Sequence, residues 1–208
     1  MQSDKITLKD LSIFAADENG SIFGLLAHTT TQAGKDMLRR HIQSPPATHQ
    51  DLMQMQDVVK FFTRNTDVWP AIITNGTLVM IDKFFDAADT QSTPPAGINL
   101  ILGRYLQKWL NKNEYFFTQF SLSHIADFMK GCRQMTALLE RNDLPEMLRR
   151  ELELVLQETN HRLTEELLLV NKDTPYRDLA LLNYKVRREM KHNINRLVNH
   201  YARLDAWQ

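Results

Sequence analysis

Apolar residues along this 208-residue chain recur every three or four positions and show no sustained alternation. That period is the signature of helices that bury one face, whereas half-buried strands repeat every two residues. Thr48 is placed to cap a helix whose apolar positions Leu52, Met55, Val59 and Phe62 form one stripe. Ile125, Phe128, Cys132, Met135 and Leu139 form another. After Pro145, the stripe Leu148, Leu152, Val155, Thr159, Leu163, Leu167 and Val170 predicts a helix of about seven turns, about 40 Å long. A turn over residues 171–175 follows, and a last helix carries Leu179, Leu182, Val186, Met190, Ile194, Leu197, Tyr201 and Leu204. Two such helices joined by a short turn pack antiparallel.

The breaks in the period coincide with Gly20, Pro45 and Pro46, residues 94–97, Pro145 and Pro175, where helix-breaking residues gather. The predicted fold class is therefore all-α: a multi-helix bundle with a long antiparallel C-terminal helix pair. Residues 1–208 read as a single domain, with a helical body over 1–142 and a long helix hairpin over 143–208. The last helix reaches YARLDAWQ with no glycine or proline stop, which suggests a fragment of a longer protein.

Composition narrows the function classes. Hydrophobic residues make up 43% and charged residues 24%, ordinary for a globular protein. The 25 basic and 25 acidic residues cancel, so any binding to nucleic acid or an anionic membrane needs a local patch. The single cysteine, Cys132, lies on an apolar stripe and reads as core. It supplies neither a disulfide nor a cysteine metal cluster. No apolar stretch approaches the roughly 18 residues of a membrane span, and no apolar leader opens the chain, so the expectation is a cytoplasmic protein without a membrane partner.

Candidate chemistry is sparse. The run TTTQAGKD at 29–36 resembles the end of a phosphate-binding loop. Thr29 stands where that loop needs glycine, however, and Asp36 follows Lys35 where a hydroxyl should. The run reads better as a helix start, with Gly34 early in the helix because another backbone packs against it beside buried Ala33, Met37, Leu38 and Ile42. His192 and His200 lie too far apart on one helix to share a metal and read as surface or boundary residues. No catalytic, cofactor-binding or metal-binding residue is assigned, and an enzyme assembled from scattered acids remains a rival.

A basic cluster does stand out: Lys185, Arg187, Arg188, Lys191 and Arg196, interrupted by Glu189. Lys185, Arg188, His192, Asn195 and Asn199 share the face opposite the apolar stripe. Lys185, Arg188, Lys191 and Arg196 are the candidate DNA-phosphate contacts. A solvated helix face accounts for the same charges. Arg39 and Arg40 read either as a further basic pair or as donors to a neighbouring helix C-terminus.

Beyond these features, ITLKDLSIF at 6–14 and the segment from Gly20 to Val59 resemble the start of the core domain of MutS, the DNA mismatch repair ATPase family. The matching positions are Thr7, Leu11, Gly20, Ser21, Leu25, Leu26, Thr29, Thr31, Gly34, Leu38, Arg39, Arg40, Pro45 and Val58. Asp10 stands where the family usually has asparagine, and Gln56 where it often has arginine. The end, YARLDAWQ, resembles the family's Ala-x-Leu-Asp close of the core, whereas residues 65–175 carry no matched motif.

This resemblance implies a core and lever domain, non-catalytic by itself. It would link double-stranded DNA to an ATPase domain absent from this chain, in a parent that uses ATP and Mg and works as a homodimer. The Phe-x-Glu mismatch reader is absent from the sequence, and the interval between the matched ends looks too short for the family's DNA clamp. Thr29, Thr31, Gly34, Arg39 and Arg40 are the structural motif. The resemblance leaves open handling of recombination intermediates rather than mismatches, and a helical protein-interaction scaffold is the remaining alternative.

Overall fold

A computed structural model describes residues 11–14, 20–87 and 112–208. Thr7, Asp10 and the breaker at 94–97 lie outside the described residues. The described chain is helical, without a strand, as the apolar period requires. Its helices are α1 (Ile22–Leu26), α2 (Gln32–Gln43), α3 (His49–Arg64), α4 (Asn75–Asp86), α5 (Lys112–Thr136), α6 (Glu146–Thr159), α7 (Thr164–Leu168), α8 (Tyr176–Lys185) and α9 (Lys191–Trp207). A π-helical turn, Val186–Met190, joins α8 to α9.

Hydroxyl side chains start four of these helices by accepting an otherwise orphaned backbone N–H. Ser21 caps α1, Thr31 caps α2 and Thr48 caps α3 as its position predicted. Thr74 and Thr77 form a reciprocal capping box on α4.

The chain divides into two compact units, each discontinuous in sequence. The first contains residues 1–69, 137–154 and 198–208; the second contains 70–136 and 155–197. In the first, Phe23, Val58, Phe61, Phe62, Leu148, Leu152, Tyr201, Leu204 and Trp207 are buried. Trp69 packs its ring edge-on to Phe62 at 5.8 Å between centroids and lies 5.4 Å from Tyr201.

In the second unit, α5 supplies Leu122, Ile125, Phe128, Met129 and Cys132, all at 0% exposure. Burial pushes the Cys132 thiol well above its ordinary pKa, as expected of a core residue. Gly131 lets α5 approach Ile73 closely, since a Cβ there would sit 2.5 Å from Ile73 Cγ1. Leu163, Leu167, Leu179, Leu182, Val186 and Met190 complete this core.

Three details correct the periodicity. On α3 the buried residues are Val58, Phe61 and Phe62, whereas Leu52 and Val59 are exposed at 41% and 42%. The apolar positions there cover more than one face, and three- and four-residue spacing alone selected a stripe rotated from the packed one.

The seven-turn helix after Pro145 is not continuous: α6 stops at Thr159, and α7 begins at Thr164. Asn160 shares its N–H between the Leu156 and Gln157 carbonyls, while His161 Nδ1 accepts the Leu163 N–H at 3.2 Å. A side-chain acceptor on His161 thus takes the Leu163 N–H in place of a helix carbonyl, yet every residue of the stripe Leu148, Leu152, Val155, Thr159, Leu163, Leu167 and Val170 stays buried. On the other helix of the pair, the π-helical turn inserts a wider step that leaves Val186 and Met190 at 0% exposure.

The antiparallel register is written in charged pairs. In the first unit Glu151 meets His200 and Arg203. In the second, Glu158 meets Asn193 and Arg196, Arg162 meets Glu189, and Glu166 meets Lys185. Within the second unit, rising residue numbers on one helical arm meet falling numbers on the other, as antiparallel packing demands. At the turn, Asn171 Oδ1 accepts the Asp173 N–H and Thr174 Oγ1 accepts the Asn171 N–H, so the 171–175 reversal is a side-chain-closed turn.

Candidate functional site

Two places carry the sequence-derived candidates, one in each unit. The basic positions lie in the second. Lys185 is half-buried and binds Glu166 Oε2 at 2.8 Å. Arg196 grips Glu158 with two nitrogens, Nε at 2.8 Å and Nη2 at 2.8 Å from opposite carboxylate oxygens. Glu158, 6% exposed, also accepts from Asn193 at 3.0 Å.

Arg188 is exposed and donates to the Tyr184 hydroxyl at 2.7 Å, and Lys191 is exposed above the Phe85 ring. His192, Asn195 and Asn199 are exposed as expected. Arg187 lies 4.0 Å over Phe84 and donates to the Ala87 carbonyl at 3.2 Å, at the C-terminal end of α4. The four predicted phosphate contacts therefore differ: two are held by carboxylates, and two project beside aromatic rings.

The first unit holds the Thr-x-Thr motif. The Thr30 N–H donates to Asp205 Oδ1 at 2.8 Å, the Thr31 N–H to Oδ2 at 2.9 Å, and the Thr31 hydroxyl to Oδ2 at 2.5 Å. Thr31 Oγ1 in turn accepts the Gly34 N–H at 3.1 Å, closing the first turn of α2. Thr29 donates to the Thr31 carbonyl, and the Trp69 indole donates to Thr30 Oγ1 at 3.1 Å.

Asp205 is 1% exposed, and burial raises its carboxyl pKa while the hydrogen bonds from Thr31 and Thr30 oppose that rise. Its carboxylate sits at the positive end of α2, where the N–H groups of the N-cap Thr31 and of Thr30 before it point at it. Gly34 is buried because Asp205 packs on it: a Cβ there would lie 2.5 Å from Asp205 Cγ. The neighbour is thus a carboxylate side chain rather than the backbone that was expected, and Ala33, Met37, Leu38 and Ile42 are only half-buried.

Other side chains complete the surroundings of this junction. Arg39 lies 4.3 Å from the Phe23 ring centroid and 5.3 Å from that of Phe14, and Arg40 is exposed. In this unit it is Arg149 that donates to carbonyls at a helix end, those of Leu139 and Arg141. His200 is buried rather than superficial, with Nδ1 2.7 Å from Glu151 Oε1. His41 stacks on Trp207, and burial followed by the nearby Arg203 lowers its pKa.

A polar cleft of about 550 Å³ lies between residues of α3 and the start of α6, lined by Asp57, Lys60, Arg64, Asp143 and Glu146 among others. Among the described residues no cluster of His, Cys, Asp and Glu is placed to hold a metal ion. Nor is any described helix long and apolar enough to cross a membrane.

The Asp205 junction ties the two stretches that carry the family likeness, 174 residues apart in sequence. The model of MutS domain III matches residues 6–206. The chain belongs to the MutS domain III family. The DNA mismatch repair protein MutS of Anaplasma phagocytophilum (strain HZ) is 31% identical over 110 residues, which is 50% of this chain but 13% of that relative. No solved structure matches significantly.

In this MutS domain III chain, Asp205 is the residue whose role the sequence did not reveal. The signal was present in two halves: an acid beside the buried stripe of Leu197, Tyr201 and Leu204, and a threonine run followed by glycine. Nothing in either half names the other.

Proposed function

We propose that this chain is the core and lever domain of a MutS-like DNA mismatch repair protein, coupling DNA binding to an ATPase domain of the parent. Residues 1–208 act as one core domain in this reading, with the helix pair after residue 143 as the lever. The Asp205 junction carries the proposal, because a lever transmits displacement only if one end is held. Here the last turn of α9 is held to the N-cap of α2 by three hydrogen bonds from Thr31 and the preceding Thr30. The chain itself is non-catalytic in this reading. ATP, Mg, a homodimer and a cytoplasmic setting belong to the parent.

Lys191 is a better phosphate contact than Lys185 and Arg196, which already neutralise Glu166 and Glu158. With no net charge, the isolated chain is expected to bind duplex, mismatched or branched DNA weakly, with affinity falling steeply as salt rises. Fluorescence anisotropy over a salt series tests this. Nanomolar binding at physiological salt overturns the weak-binding expectation, and no binding by a longer protein carrying the ATPase domain overturns the DNA reading. Preference for branched over mismatched duplex would move the parent to recombination intermediates.

One observation favours a protein-interaction scaffold instead. In the second unit Phe116 and Phe120 are 51% and 56% exposed beside an apolar groove of about 440 Å³ that Lys172 also lines. Salt-insensitive DNA binding at background level, together with loss of partner recruitment in F120A, would favour that reading.

A further inference from the structure

The contact between Asp205 and the start of α2 has features of a receptor and its ligand. Two backbone N–H groups and one hydroxyl converge on one carboxylate, and no cation takes part in those bonds. The receptor half is organised by its own bonds: Thr31 Oγ1 caps the Gly34 N–H, and the Trp69 indole holds Thr30 Oγ1. Those bonds do not involve Asp205. The clearance is specific too, because a Cβ on Gly34 would lie 2.5 Å from Asp205 Cγ and 2.7 Å from its Cβ. Open space would leave the helix better served by alanine, since glycine inside a helix is unfavourable.

We infer that Thr30, Thr31 and Gly34 form a preorganised carboxylate seat, and that Asp205 is the positioning residue that docks the last turn of α9 into it. The seat exists before the acid arrives, as a helix N-terminus whose donors are already aimed. Gly34 is required only because Asp205 is there. Removing the whole Asp205 side chain leaves donors that take up a small carboxylate from solution. None of this depends on DNA or ATP, so its failure and that of the coupling reading are separately visible.

The experiment uses the full chain with Gly34→Ala and Asp205→Gly, alone and together, and follows Tm with sodium acetate against sodium chloride at equal ionic strength. Asp205→Gly is expected to lower Tm by about 5–10 °C through loss of its hydrogen bonds and of helix propensity. Acetate should then raise the Tm of that variant by about 3 °C beyond chloride, and leave the unaltered chain unmoved. Gly34→Ala should lower Tm in the unaltered chain but raise it, or leave it unchanged, in the Asp205→Gly background.

Equal responses to acetate and chloride, or an equal loss from Gly34→Ala in both backgrounds, overturns the inference. Should Asp205→Gly not fold, amide exchange in the unaltered chain decides. Slow exchange at Thr30 and Thr31 relative to Thr29 supports the seat, and equally fast exchange at all three overturns it.

Discussion

The junction at Asp205 and the basic face at 185–196 are both built from polar groups on the same C-terminal run of helix, and they obey opposite rules. Asp205 is 1% exposed and bound by donors far away in sequence. Arg188 and Lys191 are exposed and lie against rings. A buried polar group is fixed by its partners and expensive to orphan, whereas an exposed charge is already solvated and adds little to stability. Burial, and not the number of charges, decides which polar residues hold the fold and which remain for binding.

The comparison breaks most readily at Asp205. Asp205→Ala leaves the Thr30 and Thr31 donors without their acceptor and should lower unfolding free energy by about 3 kcal/mol, read by urea denaturation. A loss below about 0.5 kcal/mol would put this junction in the same class as the exposed charges. Next is Glu158→Ala, which strips a 6%-exposed acceptor from Arg196 and Asn193. About 1–2 kcal/mol is expected, and Arg196→Ala, on the exposed side of the same pair, should give less than half of that.

A pH series sharpens the contrast. Because burial raises the Asp205 pKa in the folded state above its ordinary value, the group's contribution is fullest below the unfolded pKa. It is lost as pH rises through the folded pKa. The stability of the unaltered chain relative to Asp205→Asn should therefore fall as pH increases across that interval. A difference that stays flat or grows with pH contradicts the burial argument. The smallest effects belong to Arg188→Ala and Lys191→Ala, each within about 0.5 kcal/mol of the unaltered stability. Under the proposed DNA reading their signature is a shallower salt dependence of binding, and an unchanged slope removes them as phosphate contacts.

Much of the fold was legible. The three- and four-residue spacing predicts buried stripes at Leu148, Leu152, Val155, Thr159, Leu163, Leu167 and Val170 and at Leu179, Leu182, Val186, Met190, Ile194, Leu197, Tyr201 and Leu204, and every one of these stripe residues is buried. Thr48 was read as a cap and caps α3, and Cys132 was read as core and is buried. Such features depend on neighbours within one helical turn, which sequence spacing reports directly.

The errors share a different cause. Thr159, Leu163 and Leu167 keep the stripe in phase across a broken helix, because the His161 ring takes the Leu163 N–H without moving the apolar face. Leu52 and Val59 satisfy the spacing and remain exposed, because α3 offers more apolar positions than its packing covers. His200 reads from sequence as a surface or boundary residue, and Glu151, on the opposing helix, bonds it at 9% exposure. Of the candidate site, the sequence displayed the basic residues but not which carboxylates already held Lys185 and Arg196.

By itself, the sequence determined the helical class, the turn at 171–175, the Thr48 cap, the helix start at the threonine run and membership of the MutS domain III family, whose match spans residues 6–206. These follow from local periodicity, side-chain hydroxyls beside N–H groups, and ordered short motifs. Only the tertiary structure decided that Asp205 answers Thr30 and Thr31, and that Gly34 is the clearance between them. A hydrogen bond across 174 residues leaves no periodic trace in the chain, because its geometry exists only once the intervening helices have brought the two motifs together.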